Sequence, residues 1–90
     1  MQTAKPSVAS LWRTDQFNYL AIGLLKDQLL PNHKAPIPTR LLVVRGAIEF
    51  RIQGEVIRLQ ELDTYEIPVD IEHEVVGLEA ENIFTLVQQK

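Results

Sequence analysis

Downstream of residue 40, apolar and polar positions follow a two-residue rhythm. Leu41, Leu42, Val43 and Val44 form a short apolar run closed by Arg45 and Gly46, after which Ile48, Phe50 and Ile52 alternate with Glu49, Arg51 and Gln53. Such alternation puts one face of a strand in a core and the other in water. Gln53-Gly54-Glu55 reads as a tight hairpin turn, since glycine adopts the positive φ these turns require, and the returning strand occupies 56–60. Glu61, Leu62 and Asp63 make the next corner, and Val69-Asp70-Ile71-Glu72 makes another. The pattern predicts strands at 40–45, 47–53, 56–60, 64–68, 73–78 and 82–88. Short strands at regular spacing, with no helix between them, imply an antiparallel sandwich or barrel.

Pro31, Pro36 and Pro38 cluster between two apolar segments and predict a stiff loop. The N-terminal third is ambiguous by period alone, because Phe17, Leu20, Ala21, Leu24 and Gln28 also fit a helical stripe with Thr14 or Asp15 as its N-cap. Gly23 in the middle, and the need of a small barrel to cover its sheet edges, favour two strands instead, at 11–13 and 17–25, with turns at Thr14-Asp15 and Lys26-Asp27-Gln28. Residues 1–10 then form an N-terminal extension and 11–90 a single barrel domain.

Composition narrows the partners. Ninety residues with 46% apolar side chains make one domain with a small core, for which a subunit contact is a natural supplement. A homodimer is expected, with Leu11 and Trp12 as apolar surface to bury. Nine basic and twelve acidic residues, with neither sign in a block, argue against nucleic acid and anionic membrane as partners. The absence of cysteine excludes disulfides, a thiolate nucleophile and thiolate metal sites. The longest apolar stretch, residues 19–25, is too short to span a bilayer, so a cytoplasmic location is the simplest expectation.

Two spaced residue sets carry a family resemblance. Asp27, His33, Ala35, Thr39 and Gly46 stand at the places of the pattern G-x5-H-x-H-x3-E-x6-G, and Leu62, Pro68, Asp70, His73 and Gly77 at those of G-x5-P-x-G-x2-H-x3-N. With the hairpin of residues 47–61 between them, these sets resemble the paired motifs of the cupin superfamily, in the form of the small single-domain bacterial members. The resemblance implies an all-β, cupin-type jelly-roll β-barrel or sandwich of short antiparallel strands. It also implies a divalent metal, such as Zn, Ni, Fe or Mn, held by two histidines and a glutamate of the first motif and a histidine of the second. Two of those four positions keep a ligand here, His33 and His73, whereas Ala35 and Thr39 cannot coordinate.

A zinc or iron site needs at least three good ligands. Two imidazoles and water would bind weakly, so the expectation is no cofactor, with a weak site at His33 and His73 at most. The alternative is a divalent metal. Asp70 and Glu72 lie near His73 in sequence but on a turn, where Glu72 points away from it. The implied ligand pocket comprises His33, Ala35, Thr39, Tyr65 and His73, with His33 on the strand following the proline loop and both imidazoles facing one interior. Asp63 and Glu66 offer a carboxylate pair that solvated surface explains as well. Trp12 and Phe17 offer an aromatic wall for a ligand, a cover for the barrel mouth or a dimer contact. Two functions stay open: a module that binds a small polar molecule or regulates a partner, and a metal-dependent isomerase, dioxygenase or lyase-like enzyme using His33 and His73. A third reading has the interior filled by its own side chains.

Overall fold

The computed structural model describes residues 6–90, with backbone alone at Asn32 and His33. Nine strands follow in order: β1 Ser7–Arg13, β2 Phe17–Leu25, β3 Leu29–His33, β4 Thr39–Arg45, β5 Ala47–Ile52, β6 Glu55–Gln60, β7 Thr64–Ile67, β8 His73–Gly77 and β9 Glu81–Gln89. They form two antiparallel sheets. One has five strands in the order β1-β2-β9-β4-β7, and the other has four in the order β3-β8-β5-β6. This is the expected jelly-roll arrangement, and no described residue is helical.

Alternation explains the layers. Leu41 and Val43 of β4, Ile48, Phe50 and Ile52 of β5, Val75 of β8, and Phe84 and Leu86 of β9 are buried in one cluster between the sheets. On the wet side of β5, Arg51 bridges Glu49 at 2.6 Å and Glu74 of β8 at 3.1 Å. The two carboxylates raise the guanidinium pKa above its ordinary value, with the Glu49 hydrogen bond contributing most. The β5–β6 hairpin turns at Gln53 and Gly54, with φ of 51° and 77°, as a two-residue turn matched to strand twist requires.

The N-terminal ambiguity resolves to strands. All nine residues of β2 pair with β9, from Phe17 opposite Gln89 to Leu25 opposite Glu81. A helix over the same residues would leave β9 without that partner and open the sheet. β1 begins at Ser7 rather than at 11, and Ser7–Ser10 pair with Leu20–Gly23, so this part of the expected extension belongs to the sheet. Residues 1–5 of that extension lie outside the described residues.

A second strand departs from expectation. β3 runs through Pro31, which sequence reasoning assigns to a loop. β3 is the edge of the four-stranded sheet, and its pairing with β8 shifts register between Leu30 and His33. An edge strand with a register break tolerates a residue that lacks an N–H. His33 therefore ends the strand before the loop bearing Pro36 and Pro38, not the strand after it.

Candidate functional site

His73 opens β8, opposite Ile52 on one side and His33 on the other. It is only 3% exposed. Its Nδ1 lies 3.1 Å from the Ile71 carbonyl. A carbonyl only accepts, so Nδ1 carries the proton in this contact and the ring orientation is set by the turn preceding the strand. The imidazole stacks on Phe50, with centroids 5.0 Å apart and planes at 20°, and Phe50 in turn meets Tyr65 at 4.9 Å. Phe50 is fully buried. Its ring occupies the space between His73 and the half-buried Tyr65, two residues that sequence reasoning assigns to a ligand pocket.

The remaining predicted pocket residues are placed as follows. Ala35 is buried and contributes its methyl to the apolar core. Thr39 is buried, and its hydroxyl donates to the Ile37 carbonyl at 2.9 Å. The His33 side chain lies outside the described residues, although its backbone is the register partner of His73. The His73 ring is buried, and the expectation that both imidazoles face one interior falls on His33 side-chain atoms outside the described residues.

The metal that cupin resemblance implies finds a poor donor set. Among the described residues, no three His, Cys, Asp or Glu side chains converge in a way that would hold a metal ion. At the two positions where the resemblance would place further ligands, Ala35 and Thr39, stand a methyl in the core and a hydroxyl engaged with backbone. These residues do not fit a tetradentate centre.

Above the His73 end of the sandwich lies a cleft of about 690 Å³, within the size range of small-molecule sites. Ile52 and Ile71, which also belong to or pack on the core, form its apolar part together with exposed Val56, and Lys34, Arg51, Asp70, Glu72 and Glu74 bring charges of both signs around it. Sequence reasoning missed this group. Its members come from the β3–β4 connection, β5, β6, the β7–β8 turn and β8, and no spacing along the chain announces their convergence.

The other candidates lie apart from this cleft. Asp63 accepts from the Gln60 N–H at 2.9 Å and so stabilises its own corner, while Glu66 pairs with Arg40 at 3.0 Å. Trp12 and Phe17 stand on the outer face of the five-stranded sheet, 66% and 39% exposed, rather than at the barrel mouth. Among the described residues, no helix is long and apolar enough to cross a membrane.

No protein-family model matches the chain, and no curated protein matches it by sequence. Solved structures match it closely in shape. A conserved protein of unknown function from Streptococcus pyogenes superposes with a TM-score of 0.85 at 22% identity, covering 99% of this chain and 77% of the other. A cupin superfamily protein from Desulfitobacterium hafniense gives 0.87 at 12% identity over 99% and 81% of the two chains. KdgF from Halomonas sp. gives 0.84 at 20% identity over 98% and 82%.

Proposed function

Because the chain has the cupin fold, we propose that it is a binding or regulatory module for a small polar molecule, built without a complete metal centre. The observation that carries this reading is the packing of fully buried Phe50 against His73, with Ala35 and Thr39 at positions where cupins place metal ligands. The charged cleft beside Ile71 is then the ligand site, and its paired signs suit a zwitterion or another polar molecule carrying both donors and acceptors.

Metal analysis of untagged protein, followed by thermal denaturation with zinc, nickel and a panel of amino acids and small carboxylates, tests it. The reading expects metal far below one per chain, a negligible response to zinc, and a raised melting temperature with a polar compound that is lost in Lys34→Ala or Asp70→Ala. One tightly held metal per chain, released by His73→Ala, would overturn it.

One observation favours an enzyme as second reading. His33 and His73 are backbone register partners on β3 and β8, and the Nδ1 contact of His73 to a carbonyl is the kind of support that metal-ligating histidines use. In that reading the two imidazoles would hold a divalent metal with solvent completing its shell.

A further inference from the structure

Around the charged cleft, some charges are closed within the chain and others are left open. Arg51 is held by Glu49 at 2.6 Å and by Glu74 at 3.1 Å. Lys34 and Asp70 are exposed, and among the described residues neither side chain makes a hydrogen bond or an ion pair. Their backbones are nevertheless tied together. The Asp70 N–H donates to the carbonyl of Ala35, the residue after Lys34, at 2.9 Å, and so joins the β7–β8 turn to the β3–β4 connection. A base and an acid thus rise from two linked segments on the rim of one cleft without neutralising each other.

Asp70 has a φ of 62°. Glycine, asparagine and aspartate occupy that left-handed region at least cost, and of the three only aspartate brings a charge. The turn is anchored on both sides of this residue, by the Asp70 bond to Ala35 and by the contact of the Ile71 carbonyl with the His73 ring. Its carboxylate is therefore carried on a fixed backbone, as recognition of a small molecule requires.

Two basic and four acidic side chains line the cleft. That balance repels a simple anion, so a ligand has to bring a positive group. The same cleft has an apolar floor in Ile52 and half-buried Ile71, and an uncovered apolar wall in Val56, 63% exposed.

We propose that the ligand is a free α-amino acid with an aliphatic side chain: Asp70 accepts hydrogen bonds from its ammonium group, Lys34 donates to its carboxylate, and its side chain covers Ile71 and Val56. An α-amino acid carries both charges on one carbon, so it bridges an acid and a base that do not pair directly. The cleft, about 690 Å³, admits such a molecule together with water. This ligand presupposes that the cleft is the binding site proposed above.

Calorimetric titration of the native protein with L-leucine, 3-methylbutylamine and 4-methylpentanoate separates the contributions, because the amine lacks only the carboxylate and the acid lacks only the ammonium group. Leucine should bind most tightly, the amine about tenfold more weakly, and the acid not measurably. Glycine, with no side chain to cover Ile71 and Val56, should also bind about tenfold more weakly than leucine. Asp70→Asn keeps the volume and tolerates the positive φ, and should weaken leucine by about tenfold or more while the unliganded melting temperature stays at the native value. Lys34→Met keeps an unbranched stem and should abolish the preference for leucine over the amine, a change that loss of structure would not produce. Binding of 4-methylpentanoate as tight as that of leucine, native affinity for leucine in Asp70→Asn, or no binding of leucine at all would each overturn the proposal. In the last case the panel of polar compounds tells the two claims apart. A response lost in Lys34→Ala or Asp70→Ala keeps the cleft as the ligand site and removes only the amino acid, whereas no response to any compound removes both.

Discussion

Asn82, at the second residue of β9, is 1% exposed and joins three segments at the end of the sandwich opposite the charged cleft. Its Nδ2 donates to the carbonyls of Leu24 and Glu79 at 3.0 and 2.9 Å, and its Oδ1 accepts from the N–H groups of Ala47 and Glu79, both at 3.0 Å. Asn82→Ala removes all four bonds. The Ala47 N–H and the Leu24 carbonyl lie in buried surroundings, and stranding each costs about 1–3 kcal/mol. The groups of exposed Glu79 regain water and lose about 1 kcal/mol or less each. The total, about 4 kcal/mol, is a large part of the 5–15 kcal/mol typical of a domain, and corresponds to a fall in melting temperature of roughly 15–30 °C.

Asn82→Asp separates hydrogen bonding from side-chain volume. It keeps the size and the acceptor, but turns an oxygen toward the Leu24 and Glu79 carbonyls. Burial and those carbonyls disfavour its charged form, so the folded-state pKa of the new carboxyl is raised above the unfolded value near 3.9. The penalty is therefore full above the folded pKa and shrinks as pH falls toward the unfolded one. Urea denaturation of both variants and the native protein, at one protein concentration and at pH 7 and pH 5, should show the deficit of the Asn82→Asp variant relative to native narrowing at the lower pH. An Asn82→Ala protein that melts within about 3 °C of native, a loss under roughly 1 kcal/mol, would refute the reasoning.

Three further outcomes are expected. Gly46→Ala should destabilise well beyond Gly54→Ala: both glycines have positive φ, but a Cβ at Gly46 would meet the Glu81 carbonyl and the Asn82 amide, while one at Gly54 meets open space and incurs only about 1–2 kcal/mol of backbone strain, as paired thermal melts would show. Arg51→Ala should leave the urea midpoint close to that of the native protein despite two ion pairs, because the arginine is exposed and solvent screens it. Ala35→His combined with Thr39→Glu should raise zinc affinity by orders of magnitude in calorimetric titration, at about 1–3 kcal/mol of overpacking in the core; unchanged affinity would show that the motif register is wrong.

From residue 39 onward the strands were legible in the sequence, because burial between two sheets imposes a period of two and turns demand residues such as Gly54. The same alternation placed Phe50 in the core and His73 at a strand start. What the spacing could not express was partnership across the sheets. Phe17, Leu20 and Leu24 fit a helix as well as a strand until β9 supplied nine paired residues, a contact separated from β2 by most of the chain. Pro31 signalled a loop because local chemistry takes no account of whether a strand lies at an edge. Asn82 looked like an ordinary strand residue, yet only the tertiary fold sets its amide among Leu24, Ala47 and Glu79. The charged cleft and the apolar outer face have the same origin: side chains far apart along the chain become neighbours through strand order and register, and one-dimensional periodicity contains neither.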